Sequence, residues 1–302
     1  MTAVSTPVIT PAPRDATAVG AAKKVLTSRW ASLAAIVIAV LWTTPTFGLF
    51  VTSFRRPNDI LRNGWWNALA NPHFTLGNYR EVITGGQTRL IDFFINSLII
   101  TIPAVLIPVA VASLAAYAFA WTKFRGRDSL FVAVFALQVV PLQVALIPLL
   151  TIYVRYLHLA NTFWSVWLSH SIFALPFAIF LLHNFMKEIP EELIEAARMD
   201  GASHATIFFR VLMPLIKPAI AAFGIFQFLW VWNDLLVSLT FLGGRPEVAP
   251  ITVRMAALAG QYGGQWFLLS AGAFVSIIVP VIVFLSMQRY FVRGLLAGGL
   301  KG

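Results

Sequence analysis

Cysteine is absent from this chain, and only 11% of its 302 residues are charged. The first absence excludes disulfides, thiolate metal sites and cysteine nucleophiles. The second excludes an ordinary soluble domain, in which about 25% of residues carry charge. No GxxxxGK[ST] run occurs, so the chain has no phosphate-cradling loop with which to hydrolyse ATP. The five histidines, His73, His158, His170, His183 and His204, show no metal-ligand spacing such as HExxH. Basic residues are not interleaved with aromatics on a polar surface, which leaves nucleic acid without a binding signature despite the net charge of +10.

What is abundant is apolar length. Hydrophobic residues make up 59% of the chain, and its mean hydropathy is +0.79. Charge-free windows cover 30–54, 93–122, 129–154, 156–186 and 255–288, and a sixth, 218–244, is interrupted only by Asp234. Each exceeds the ~20 residues that cross a bilayer as a helix. The pattern predicts an all-α integral membrane protein with six transmembrane helices. An even count puts both termini on one side. That side holds 14 of the 22 lysines and arginines, including every lysine; among them are Lys23, Lys24, Lys123, Arg125, Arg127, Lys187 and Arg289. By the positive-inside rule it is cytoplasmic. The organisation expected is a disordered cytoplasmic N-terminal tail over 1–29, a six-helix domain over 30–291 with a loop at 186–217, and a cytoplasmic C-terminal tail over 292–302.

The loop at 186–217, between spans four and five, has a structure of its own. Pro190 suits the first position of a helix, and Glu191 and Glu192 complement the positive end of its dipole. Leu193, Ala196, Ala197 and Asp200 then share one face at i, i+3, i+4 and i+7. Gly201 is placed to close the helix in the left-handed conformation, and Ser203 to cap a second helix carrying Ile207, Phe208, Val211 and Leu212. A helix lying on lipid would present lysine and arginine. Glu188, Glu191, Glu192 and Glu195 make this one acidic instead, as a protein docking face would be.

Glu195-Ala196-Ala197, Gly201 and Val211-x-Met213-Pro214 together resemble the EAA coupling loop of permeases in binding-protein-dependent ABC importers. Asn78-Tyr79-Arg80, Asn96-Ser97-Leu98, Ala115-Ala116-Tyr117-Ala118, Phe124-Arg125-Gly126-Arg127, Trp232-Asn233-Asp234 and the segment from Gln288 to Gly294 are similar to carbohydrate-importer permeases of the maltose-transporter (MalG-like) type. The resemblance implies a multi-pass subunit of the bacterial cytoplasmic (inner) membrane that forms half of a translocation pathway. It implies as partners a second non-identical permease, two ATPase subunits, an extracytoplasmic solute-binding protein and a carbohydrate substrate. This chain would bind no cofactor, with ATP and Mg held by the ATPase subunits. The ATPase-coupling residues would be Glu195, Ala196, Ala197, Asp200, Gly201 and Pro214. In the related family the C-terminal tail reaches between the ATPase subunits, which here points to Gly294, Gly298 and Gly299.

The pathway is less legible. Gln138, Gln143 and Gln227 are polar inside apolar runs, and either line a passage or join helices by hydrogen bonds. Asn233 and Asp234 end the Trp230-Val-Trp232 stretch, and Asp234 is hydrated at the outer interface, shapes a cavity, or touches sugar. Alternatives are a permease of the same class for glycerol phosphate or a polyamine, and an ion-coupled secondary transporter. The latter lacks the expected internal repeat and leaves the acidic loop unexplained.

Overall fold

A computed structural model describes residues 29–85, 89–260 and 265–299, with side chains described as far as 288. Residues 1–28 of the tail expected over 1–29, and residues 300–302 of the C-terminal tail, lie outside these residues, and Arg29 already belongs to the first helix. The described chain is helical: α1 (Arg29–Ser53), α2 (Pro57–Arg62), α3 (Gly77–Thr84), α4 (Leu90–Trp121), α5 (Arg127–Ala136), α6 (Leu142–Ile152), α7 (Phe163–Lys187), α8 (Glu191–Met199), α9 (Lys217–Trp232), α10 (Leu236–Leu242), α11 (Ile251–Gly260) and α12 (Trp266–Gly299). An irregular arm of short helical turns, His204–Leu215, joins α8 to α9.

Helices α1, α4, α7 and the 266–288 part of α12 are each long and apolar enough to span a bilayer, and two bent pairs bring the total to six. Span three is not the straight helix its hydropathy predicts. Arg127–Val139 and Leu142–Leu157 meet at 102°. The break falls where Val140 precedes Pro141, because the proline ring pushes the preceding residue out of the helical region; Val140 has ψ 118°. Span five also departs from one straight helix over the 218–244 window. The arm meets α9 at 73°, and α9 stops at Trp232. Its 16 residues reach about 24 Å at 1.5 Å per residue. Asn233–Leu235 then form an elbow into α10. Past residue 291 the expected tail is helical as far as Gly299, since Leu295-Leu296-Ala297 are strong helix formers between the glycines.

Helices α4 and α7 form the centre of the bundle. Ala112, Ala116 and Ala120 on α4 and Ala174 and Ala178 on α7 are all buried in one cluster, and such small residues let helices approach closely where lipid offers no hydrophobic drive. Gln227 on α9 donates to the Ala104 carbonyl of α4 at 3.1 Å, and Trp232 to Ser276 of α12 at 3.2 Å. The short motifs behind the resemblance are largely fasteners. Asn78 donates to the Ser53 and Arg55 carbonyls that follow α1. Asn96 donates to Pro246 and Ala249, while Ser97 Oγ accepts from Ile251 N–H. Both carry backbone groups that no helix pairs, as burial requires.

Candidate functional site

The loop between α7 and α9 folds as its sequence predicts, with one shift. Pro190 is the residue preceding the first turn of α8, so Glu191 and Glu192 occupy that turn. At the far end Gly201 adopts φ +78°. Ala202 N–H bonds the Ala197 carbonyl at 3.0 Å and Gly201 N–H bonds Arg198 at 2.9 Å. This pair of bonds around a left-handed residue closes a helix by its own backbone. Ser203 Oγ accepts from Thr206 N–H and starts the arm.

The two faces of α8 have different fates. Ile194 is buried in the cluster formed by Ala116 and Tyr117 of α4, Leu182 and Met186 of α7, and Phe208 and Leu212 of the arm. Burying Ile194 is worth roughly 1.5–3 kcal/mol, so the loop is part of the bundle core. Glu195, Ala196 and Asp200 are exposed and Ala197 is half-buried. Leu193, 48% exposed, and Met199, 88% exposed, flank them, with Phe209 of the arm also exposed. Large apolar side chains bared next to carboxylates make an apolar patch with a charged rim. The expected stripe is therefore split: Leu193, Ala196 and Asp200 face outward, and Ala197 leans inward toward α4 and α7. Pro214 is exposed on the last turn of the arm. What the sequence did not show is that the two cations Lys187 and Arg198 both meet Trp121 at the end of α4. Lys187 Nζ lies 5.6 Å from the ring centre of Trp121, and Arg198 donates to the Trp121 carbonyl at 3.3 Å.

Gln138 and Gln227 come together in a cavity of about 570 Å³, with Phe173, Phe177, Phe226 and Trp230. A second cavity of about 400 Å³ adjoins it at Gln138, Phe173 and Trp230 and extends along the break at Pro141. Among the described residues, no charged one lines either cavity. The bend in span three borders the second cavity, and π faces with a few amides suit a neutral ligand that has both C–H faces and hydroxyls. Phe173, Phe177 and Phe226 gave no sequence signal, because aromatics in a span are ordinarily packing residues.

The remaining candidates lie elsewhere. Gln143 is exposed on α6 and lines neither cavity. Asn233 donates to the Leu229 carbonyl one turn back. The Asp234 carboxylate accepts N–H bonds from Val237 at 3.1 Å and Ser238 at 2.8 Å, which ties down the start of α10. Gly294, Gly298 and Gly299 lie on the closing turns of α12, and Gly299 is its last residue.

Three comparisons bear on this geometry. The sequence profile of the binding-protein-dependent transport system inner membrane component family matches residues 108–296. The osmoprotective compounds uptake permease protein GgtD of Synechocystis sp. is 51% identical over 273 residues, covering 89% of this chain and 91% of that protein. The alpha-glucoside transport system permease protein AglG of Rhizobium meliloti is 48% identical over 242 residues, which are 79% of this chain and 63% of that longer protein. In fold, the chain superposes with a TM-score of 0.70 on a crystal structure of a bacterial ABC transporter involved in the import of the acidic polysaccharide alginate. That match is 20% identical and covers 95% of this chain and 100% of that one.

Proposed function

The chain belongs to the family of binding-protein-dependent transport system inner membrane components, and from that premise we propose that it forms half of the pathway of an ATP-driven importer for small neutral α-glucosides. The observation that carries the substrate class is the uncharged cavity lined by Gln138, Phe173 and Trp230. Aromatic faces stack on the C–H faces of a pyranose ring, and an exposed amide reads a hydroxyl. A phosphate ester or a polyamine would meet no counter-charge there, and burying an unpaired ion costs several kcal/mol. The relatives named for alpha-glucosides and for osmoprotective compounds fit one chemistry, since neutral α-glucosides such as trehalose and sucrose are also osmoprotectants.

In this reading ATP and Mg are bound by two ATPase subunits on the cytoplasmic side, a second, non-identical permease completes the pathway, and an extracytoplasmic protein delivers the sugar. The docking surface for the ATPase is α8, with Glu195 at its charged rim. The C-terminal end of α12, with Gly294, Gly298 and Gly299, extends toward the same subunits. Swinging a pathway from 1:99 to 99:1 takes about 5.5 kcal/mol of differential binding. Closure of the ATPase dimer supplies this, and Ile194, buried in one core with α4 and α7, carries it into the membrane. The test is uptake of radiolabelled trehalose, sucrose and maltose into proteoliposomes holding the four-subunit complex, with binding protein outside and ATP inside. ATP-dependent uptake of at least one of the three is expected. Uptake that persists without ATP but follows an ion gradient would overturn the reading.

A further inference from the structure

Beyond the docking face, a hydrogen bond between two side chains ties the arm to a span. Tyr117, on the last turns of α4, lies 2.6 Å through its Oη from His204 Nδ1 at the start of the arm. The Tyr117 ring is 8% exposed and also meets the edge of Phe208 at 5.4 Å between ring centres. The arm also packs on the bundle through the apolar side chains of Ile207, Phe208 and Leu212. Apolar burial has no direction, so it fixes that the arm lies against α4 but not at what height. A hydrogen bond at 2.6 Å is directional and short. The arm also needs such a fixed point, because Ile207–Leu212 is wound as a π-helix, a form in which helix register shifts and which gathers at functional positions.

We infer that Tyr117 and His204 are positioning residues for energy coupling: their bond fixes the arm against α4, so that a push on α8 moves α4 instead of sliding the arm along it. This rests on the reading of α8 as the ATPase docking surface. The contact is independent of the charge on His204, since a hydroxyl donates to a neutral Nδ1 and accepts from a protonated one. On its far side α4 passes Pro108 and reaches Ala104, whose carbonyl receives Gln227, a residue of the cavity. The loop and the cavity are thus both fastened to α4.

The pair is testable in the reconstituted four-subunit complex by measuring trehalose uptake, or that of whichever test sugar is imported, and ATP hydrolysis in the same vesicles. Tyr117→Phe keeps the ring and deletes the hydroxyl. It should raise the ATP consumed per sugar about fivefold, the factor one ordinary hydrogen bond supports, with the ATPase still co-purifying. His204→Ala should do the same, the double variant should be no worse than either single because both lose one bond, and His204→Gln should restore most of the coupling. A second readout needs no sugar: spin labels at Leu114→Cys on α4 and Arg210→Cys on the arm, placed in a chain free of other cysteines. Their separation should be narrow and unaffected by ATP in the parent, and broadened in Tyr117→Phe. An unchanged ATP-to-sugar ratio and an unchanged distance in Tyr117→Phe overturn the positioning role alone. Loss of assembled complex in step with uptake makes the pair a structural fastener and also overturns it. Failure of the docking reading looks different: the ATPase stays bound and coupled when α8 itself is disrupted.

Discussion

The Asp234 carboxylate lies 3.6 Å from Nε2 of His170, the two side chains 7% and 0% exposed. That distance is within reach of charge attraction but beyond a hydrogen bond. Both ring nitrogens of His170 are buried without a hydrogen-bond partner among the described residues. Asp234 instead gives its oxygens to the first turn of α10, and its carbonyl accepts the Thr252 hydroxyl of α11. One acid thus joins α9, α10 and α11 at the elbow and sets it against α7.

Asp234→Asn should therefore act on assembly. The amide leaves one oxygen for two N–H groups and turns its own donor toward the other. A cost of about 1–2 kcal/mol is expected from the lost cap and lost charge. Less complex should be recovered, while uptake per assembled complex stays within about twofold, an effect below 0.5 kcal/mol. Full recovery of complex with poor uptake per complex would return Asp234 to the pathway.

At the docking face, Gly201 and Glu195 should fail in different ways. A Cβ on Gly201 meets nothing within 4 Å, so Gly201→Ala costs only its left-handed conformation, about 1 kcal/mol, and loosens the loop without a clash. Glu195→Lys leaves the loop folded and reverses the rim charge. Combined with Gly201→Asp, it should cut co-purified ATPase at least tenfold, as opposed charges at an interface do, with the chain still inserted in the membrane. Normal ATPase recovery and normal uptake would remove the docking assignment.

The cavity predicts a split between neighbouring amides. Trp230→Ala and Gln138→Ala should each raise the KM for the imported sugar about fivefold to tenfold, the scale of one aromatic face or one hydrogen bond. Gln143→Ala should change it less than twofold, within the ~0.5 kcal/mol scatter of surface substitutions. Equal effects at Gln138 and Gln143 would show that the cavity does not read the sugar.

Topology is checked by reporters. A fusion after Gly302 should be active in the cytoplasm, and an insertion near Asn71 should be active outside. Finding both on one side would refute six spans.

Much of this was legible in the sequence, and the rest was hidden for physical reasons. Hydropathy located α1, α4, α7 and α12 because each is one uninterrupted apolar helix. It could not locate the 102° break at Pro141 or the end of α9 at Trp232, since residues on both sides of each turn are equally apolar and a turn is a backbone event. The loop was legible to within a residue because proline, glycine and serine dictate backbone geometry directly. Asn78, Asn96 and Ser97 stood out as short motifs, yet hold loops together. The roles of Phe173, Phe226 and the Tyr117–His204 pair needed coordinates, because each depends on segments distant in the chain.

The closure of α8 by its own backbone has a consequence for how the assembly comes together. A helix sealed at Ala197, Arg198 and Gly201 and anchored by Ile194 holds its shape by itself, so the docking proposed for it would start from a preformed surface. Little ordering entropy is then lost on contact, a cost that otherwise reaches 0.5–1.5 kcal/mol for each immobilised side chain. No residue of α8 lines either cavity, so on the proposed docking the surface that would meet the ATPase is separate from the one that would meet the solute.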